Sequence, residues 1–161
     1  MYLIIFSEVA NEYLKLFEFS GMTIDAALRS FLSKFCLVGE TQERERVISY
    51  FSLRYLECNP EILFTDQKPF GLFKSLDSLH ILICAILMLN TDLHGEKFLQ
   101  KRMSFIEFTL NLSKQNDGDD FSNDLLKDIY YNIRDEAISW GTETEKRMEM
   151  ETTSSSVPHL R

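Results

Sequence analysis

An all-α fold is predicted by three features of the sequence. Apolar residues recur at helical spacing through most of the chain, no segment sustains the alternation of a half-buried strand, and polar caps or Gly/Pro stops separate the periodic stretches. With 161 residues, 45% of them apolar, the chain is long enough for one domain with a substantial core.

The elements follow in order. Residues 1–6, "MYLIIF", are an apolar start whose structure the pattern does not assign. Val9, Tyr13, Leu14 and Phe17 form one stripe, with Ser7 as N-cap. After Gly21, Thr23 caps a second helix that carries Ile24, Leu28, Phe31, Leu32 and Phe35 on one face. A third helix begins near Thr41, turns Val47, Ile48, Phe51 and Tyr55 inward, and stops at Asn59-Pro60. Glu40 and Glu43 stand at its start, where negative charge suits the helix dipole. Residues 61–75 contain Pro69 and Gly71, lack a period and read as a loop. A helix starting at Asp77 or Ser78, "SLHILICAILMLNTDLHG", is apolar nearly all round, which predicts burial on most sides. Ser104 to Glu107, "SFIE", is a capping box that opens a short helix through Leu112. The last helix starts at Ser122 and carries Leu125, Leu126, Ile129, Tyr130 and Ile133. Residues 141–161 lose aliphatic period, gain Ser and Thr, and read as a disordered tail or linker stub.

Composition excludes several classes of function. A net charge of −8 lacks the basic footprint that phosphate backbones require, and it disfavours unaided binding to an anionic membrane. Cys36, Cys58 and Cys84 are odd in number and lack CxxC spacing, so they read as reduced cysteines. "MYLIIF" has no basic n-region and meets Glu8 at once, unlike a signal peptide, and the longest apolar run, Ile81 to Leu89, is too short to span a bilayer. These features together predict a soluble cytoplasmic domain. No HExxH motif or Cys/His cluster along the chain suggests a metal, and no P-loop or dinucleotide fingerprint suggests a nucleotide, so no cofactor is expected. The acidic turn Asp117 to Asp120, laid on a calcium loop, puts Ser122 where glycine is required. It reads instead as an exposed turn and helix cap.

Two features remain for function. Glu40 follows Gly39 between an apolar segment and a charged one. From the residues alone it is either a first-turn acid or a carboxylate held out from the surface. His80, Cys84, Leu87, Met88 and Thr91 share one face of one helix, which ends in the polar run "NTDLHG". Core packing accounts for the apolar members of that face. The polar end needs partners inside the domain or on a bound protein.

The run "LVGETQERERVISYFSLRYLECNP" resembles the first signature of the Sec-7 homology domain, the exchange module of guanine-nucleotide exchange factors for ADP-ribosylation factor (Arf) GTPases. "ILMLNTDLHG" resembles the second signature. "GMTIDAALRSFLSKF" and "RMSFIEFTLNLSKQNDGDDFSNDLLKDIYYNI" match in order, so the resemblance covers residues 7–140 with one inserted loop, 64–74. "GETQERERV" together with Gly95 is most similar to the subgroup that carries a following pleckstrin-homology domain, the PSD-type exchange factors of the plasma membrane.

The resemblance implies a helical superhelix whose groove accepts the switch regions of a GDP-loaded Arf protein. Glu40 is then a glutamate finger directed at the magnesium and β-phosphate of the bound nucleotide. Gly39, Gln42 and Glu45 from the first signature would meet the partner, as would His80, Cys84, Leu87, Met88, Asn90, Thr91, Asp92 and His94 from the groove helix. The protein would catalyse dissociation without covalent chemistry and regulate Arf signalling and membrane traffic. Departures from the family pattern lead to further expectations. The family's upstream helices are absent before Ser7, loop 64–74 is longer than usual, and Gly95 stands where many relatives have asparagine. Phe64, Phe70 and Phe73 of that loop either cover the groove or belong to a surface insertion. No pleckstrin-homology domain or polybasic stretch is present, so recruitment to plasma or endosomal membrane would be indirect. The competing expectation is a truncated, non-catalytic helical interaction module.

Overall fold

The computed structural model describes residues 2–37, 40–66, 71–96 and 101–139, with residues 2–7 described by their backbone. Six α-helices lie among the described residues: α1 (Tyr2–Leu14), α2 (Ile24–Leu32), α3 (Thr41–Cys58), α4 (Leu76–His94), α5 (Phe105–Asn111) and α6 (Asn123–Asp135). A 3-10 turn, Pro60–Ile62, follows α3. There is no strand among the described residues; isolated β-bridges pair Leu63 with Phe73 and Asn116 with Asp119. The all-α expectation holds.

The helices pack in sequence across the domain. α1 lies on α3, α3 on α4, and α4 on α6, while α2 and α5 also pack on α6. α4 is therefore central, with Leu79, Leu82, Ile83, Ile86 and Leu89 buried between its neighbours. By length and composition α4 as a whole is also apolar enough to cross a membrane, although the run Ile81 to Leu89 alone is too short. Its packing on both α3 and α6 accounts for that composition as a core helix.

Aromatic rings fill the α1–α2–α3 side of the core. Phe17, Phe19, Phe31 and Phe51 are buried, with Phe31 and Phe51 stacked at 5.7 Å and Phe17 edge-on to Phe31 at 5.4 Å. The turn from α1 to α2 is tied to the end of α3 by side chains. The buried Asn59 amide donates to the carbonyls of Phe19 and Tyr55 at 3.0 Å each, and its Oδ1 accepts from the Gly21 N–H at 2.8 Å. Gly21 sits at φ +70°, where an L side chain is strained. The Arg54 guanidinium donates to the Phe17 carbonyl, and the Tyr55 hydroxyl to that of Met22. Burial pushes the Tyr55 phenol up to about 12. On the far side, Arg29 of α2 donates to the carbonyls of Asn132, Glu136 and Ala137, tying α2 to the end of α6.

Several local expectations hold. Ser122 caps α6 by accepting from the Leu125 N–H, and Ser104 and Glu107 form the capping box of α5. α3 starts at Thr41 and ends before Asn59-Pro60. Others are corrected. α1 begins at Tyr2, so the apolar start is part of the helix, and Ser7 lies inside it and does not cap it. Among the described side chains of α1, Ala10 and Leu14 are buried and Tyr13 packs against the core, whereas Val9 is exposed and Phe17 lies beyond the helix end. α4 starts at Leu76, capped by the Ser75 hydroxyl accepting from the Ser78 N–H at 3.1 Å.

Loop 64–74 is tethered near both of its ends. The Phe64 N–H donates to the Phe73 carbonyl, and Asn116 accepts from the Lys74 N–H at 3.0 Å while donating to the Leu72 carbonyl at 3.2 Å. Phe73 is buried against Phe121, so it is a core residue and not a groove cover. Phe70 lies outside the described residues, as does the tail 141–161. The acidic turn is consumed by ion pairs, Asp119 with Lys74 and Asp120 with Lys114.

The α5 cap has a measurable electrostatic signature. The Ser104 hydroxyl and N–H donate to Glu107 at 2.7 Å each, and Lys101 adds a third bond at 3.3 Å. These bonds hold the Glu107 carboxyl at about 2 against an ordinary value of 4.5. A depressed carboxyl stabilises the fold above its ordinary value. That contribution is lost as pH falls from about 4.5 toward about 2. Ser104→Ala is expected to raise the Glu107 midpoint toward 4.5 in an NMR titration and to flatten the acid limb of the pH–stability curve in that window.

Candidate functional site

The two faces of α4 differ. While one face is buried, Ile81 and Met88 are exposed, Met88 by 70%, and Cys84, Ala85 and Leu87 are half-buried. This open stripe forms one wall of a groove made of two adjoining hollows. The first, about 460 Å³, is bounded by Thr41, Arg44, Glu45 and Ile48 of α3 and by Cys84, Leu87, Met88 and Thr91 of α4. The second, about 600 Å³, continues along α4 past His80 to Phe108 and Leu112. Glu45, Cys84, Met88 and Met103 border both, so the hollows form one continuous depression.

Glu40 occupies the N-cap position of α3, with extended backbone at φ −70° and ψ 162°. Its N–H donates to Glu43 Oε2 at 3.1 Å, which satisfies the main chain at the helix entry. The residue is exposed and immediately precedes Thr41, a groove-lining residue. Glu40 itself lines neither hollow and adjoins the groove through Thr41. Gly39 lies outside the described residues. Gln42 is exposed on the first turn of α3 and lines neither hollow.

Glu45 and His80 meet across the groove floor, His80 Nε2 standing 3.1 Å from Glu45 Oε2. Cys84 Sγ is 3.6 Å from the same nitrogen. Burial first, and the Glu45 charge second, push the Cys84 thiol up to about 11. Sequence spacing showed no His/Cys cluster. The fold makes one by bringing a residue of α3 against the i, i+4 pair of α4.

The polar end of α4 divides its tasks. Asn90 is buried and faces the C-terminal segment, exchanging hydrogen bonds with the main chain of Ile138 at 2.8 and 3.2 Å. His94 Nε2 donates to the Ile133 carbonyl at 2.5 Å. Both hold α4 to the α6 side of the domain. Thr91 is exposed on the groove, its hydroxyl donating to the Leu87 carbonyl at 3.1 Å. Asp92 borders the groove and fixes the chain leading into α5, accepting from the Met103 N–H at 2.6 Å. Arg102 reinforces this joint with bonds to the Asp92 and Gly95 carbonyls at 2.6 and 2.8 Å. A Cβ at Gly95 would run into the Thr91 carbonyl oxygen, so this helix end admits no larger residue without moving.

Sequence reasoning missed Arg44, Ile48 and Met103 as groove residues. Thr41, Arg44, Glu45 and Ile48 are spaced i, i+3, i+4 and i+7, so the shared face was available in the sequence. Met103 carried no local signal, because a loop bond to Asp92 eleven residues earlier places it.

Comparison with known proteins identifies the architecture. The family model of the Sec7 domain matches residues 5–138. The chain belongs to the Sec7 domain family. A relative described as an exchange factor for Arf-6, from Caenorhabditis elegans, is 46% identical over 128 residues, which is 80% of this chain and 14% of that protein. Among solved structures, the Sec7p catalytic domain superposes with a TM-score of 0.70 at 33% identity, over 81% of this chain and 63% of that one. A Sec7 domain bound to ARF1-GDP and complexed with brefeldin A gives a TM-score of 0.70 at 31% identity, over 85% of this chain and 64% of that one. This Sec7 chain thus spans about one-seventh of its curated relative and under two-thirds of each solved domain.

The joint at Asp92 is open to a direct test. Asp92→Ala leaves the Met103 N–H without its acceptor, which costs about 1–3 kcal/mol. Thermal melting is expected to fall accordingly, with the Met103 methyl resonance displaced and that of Met22, far along the chain, unchanged.

Proposed function

We propose that this Sec7 domain accelerates GDP release from an Arf-family small GTPase, with Glu40 as the residue that carries the effect. The observation behind the proposal is an open apolar groove with an exposed carboxylate, Glu40, one residue before the groove-lining Thr41. Family membership supports it, as do the names of two similar proteins, one an exchange factor for Arf-6 and one a Sec7 domain bound to ARF1-GDP.

The groove supplies docking. Met88, an exposed flexible thioether beside Leu87, suits a surface that must follow a partner changing shape. Cys84, His80 and Glu45 form the floor, and Thr91 and Asp92 form the polar rim. Gly39 and Gln42 would approach the partner from the entry of α3, while Asn90 and His94 would act by shaping the end of α4. Glu40 supplies electrostatic work. A carboxylate brought to about 4 Å from a phosphate charge is repelled by about 4 kcal/mol at an effective dielectric near 20. That corresponds to roughly a thousandfold in an equilibrium constant. The same charge competes for the cation that holds the phosphate. No covalent bond is made or broken in this role. The resemblance of the "GETQERERV" run and Gly95 supports the further proposal that the domain is of the subgroup with a following pleckstrin-homology domain, acting from the cytoplasm at plasma or endosomal membrane.

Glu40→Lys is expected to return GDP release from Arf to its unassisted rate, a loss of about two to three orders of magnitude. Because Glu40 caps α3, the melt is expected to fall by about 0.5–2 kcal/mol with the fold retained. Release as fast as with the parent protein would overturn the assignment.

A further inference from the structure

We propose that Glu45, His80 and Cys84 form a binding site for a borderline-soft divalent cation such as Zn²⁺ on the groove floor. Their ligand atoms, one carboxylate oxygen, one imidazole nitrogen and one sulfur, all lie within 4.8 Å of one another. Two of the three separations match a tetrahedral metal. Bonds of about 2.3 Å to sulfur and about 2.0–2.1 Å to nitrogen and oxygen place S and N about 3.6 Å apart and N and O about 3.3 Å apart. The observed separations are 3.6 Å from Cys84 Sγ to His80 Nε2 and 3.1 Å from that nitrogen to Glu45 Oε2.

The surroundings orient the imidazole for this task. Ser52, buried on α3, donates its hydroxyl to the Ile48 carbonyl at 2.8 Å. Its oxygen can then only accept from His80 Nδ1, 3.5 Å away. Without a metal, the Glu45 carboxylate 3.1 Å away accepts a hydrogen bond from Nε2–H; when a cation replaces that proton, Nδ1–H facing Ser52 leaves the Nε2 lone pair for the metal. A hydrogen-bond acceptor behind a ligating histidine is the usual device for fixing its tautomer, and here a hydroxyl stands in that place. His80 and Cys84 are one helical turn apart on α4, a spacing that places two ligands on one face. Glu45 closes the set from α3. Three protein ligands leave the fourth position open to water or to a group on a docked partner, and the thiol proton leaves to solvent when the metal binds.

The consequence for exchange rests on the proposed function. A cation bound at Glu45, His80 and Cys84 clamps α3 to α4 across the surface proposed for docking, so Zn²⁺ would slow nucleotide release.

The site itself is read on the whole chain, without a GTPase. Titration with Co²⁺ is expected to give one equivalent of tetrahedral d–d absorption with a thiolate charge-transfer band. Cys84→Ser should abolish that band, and Glu45→Gln should weaken binding by about tenfold or more, at least the loss typical of an outer-shell partner. No stoichiometric band would overturn the site, as would a band that survives in Cys84→Ser, because Cys36 or Cys58 would then hold the metal. Unchanged affinity in Glu45→Gln would remove Glu45 from the ligand set. In the exchange assay, Zn²⁺ should slow the parent protein and leave the rate of Cys84→Ser insensitive to the metal. Saturation of the Co²⁺ site without slowing by Zn²⁺ would overturn the blocking role. Failure of the metal-free parent to accelerate release would instead refute the exchange assignment and leave the Co²⁺ result untouched.

Discussion

The rest of the structure depends on the one-sided burial of α4. Leu79, Leu82, Ile83, Ile86 and Leu89 are each almost wholly removed from water. At roughly 1.5–3 kcal/mol per side chain, as an upper estimate, that face is a large fraction of what the domain gains on folding. Because α4 is held by its buried face and by the Asn90–Ile138 pair, its opposite face cannot rotate inward to hide Met88, Leu87 and Ile81. The apolar wall of the groove is exposed because the helix is fixed from behind.

α3 works from the same constraint. Its inner face, Val47, Phe51 and Tyr55, belongs to the aromatic core shared with α1 and α2. Asn59 and Arg54 tie its C-terminal half to the preceding turn. Its N-terminal half carries Thr41, Arg44, Glu45 and Ile48 along the groove and ends in Glu40. An exposed carboxylate on a helix anchored this firmly at its far end can be presented to a partner without first being ordered. Preorganisation of that kind is what an exchange mechanism based on charge repulsion requires.

Local signals were legible in the sequence and long-range ones were not. The "SFIE" box, the Ser122 cap and the Asn59-Pro60 stop were read correctly because each is written within four residues. Ser7 misled because α1 starts five residues earlier, at Tyr2, so the cap preference of Ser marks no helix end here. Phe73 sat in a segment with no period, and its burial comes from Phe121 and the Asn116 turn more than forty residues away. The groove face of α4 was visible as an i, i+4, i+7 pattern, but what separates groove from core is which neighbours arrive, and that is decided by α3 and α6. The Glu45–His80–Cys84 cluster shows the same limit, since thirty-five residues separate Glu45 from His80. The Sec7 signatures supplied what periodicity could not, a reason for Glu40 and the open face of α4 to belong to one site.

The central claim is that the α3–α4 groove is where the GTPase docks. Methyl-labelled methionine offers probes already in place, with Met88 and Met103 lining the groove and Met22 beside a separate hollow between the α1–α2 turn and α6. On addition of a GDP-loaded Arf protein, the Met88 and Met103 methyl resonances are expected to shift or broaden in proportion to complex formed, with Met22 unperturbed. Binding that leaves Met88 and Met103 unchanged would contradict the account.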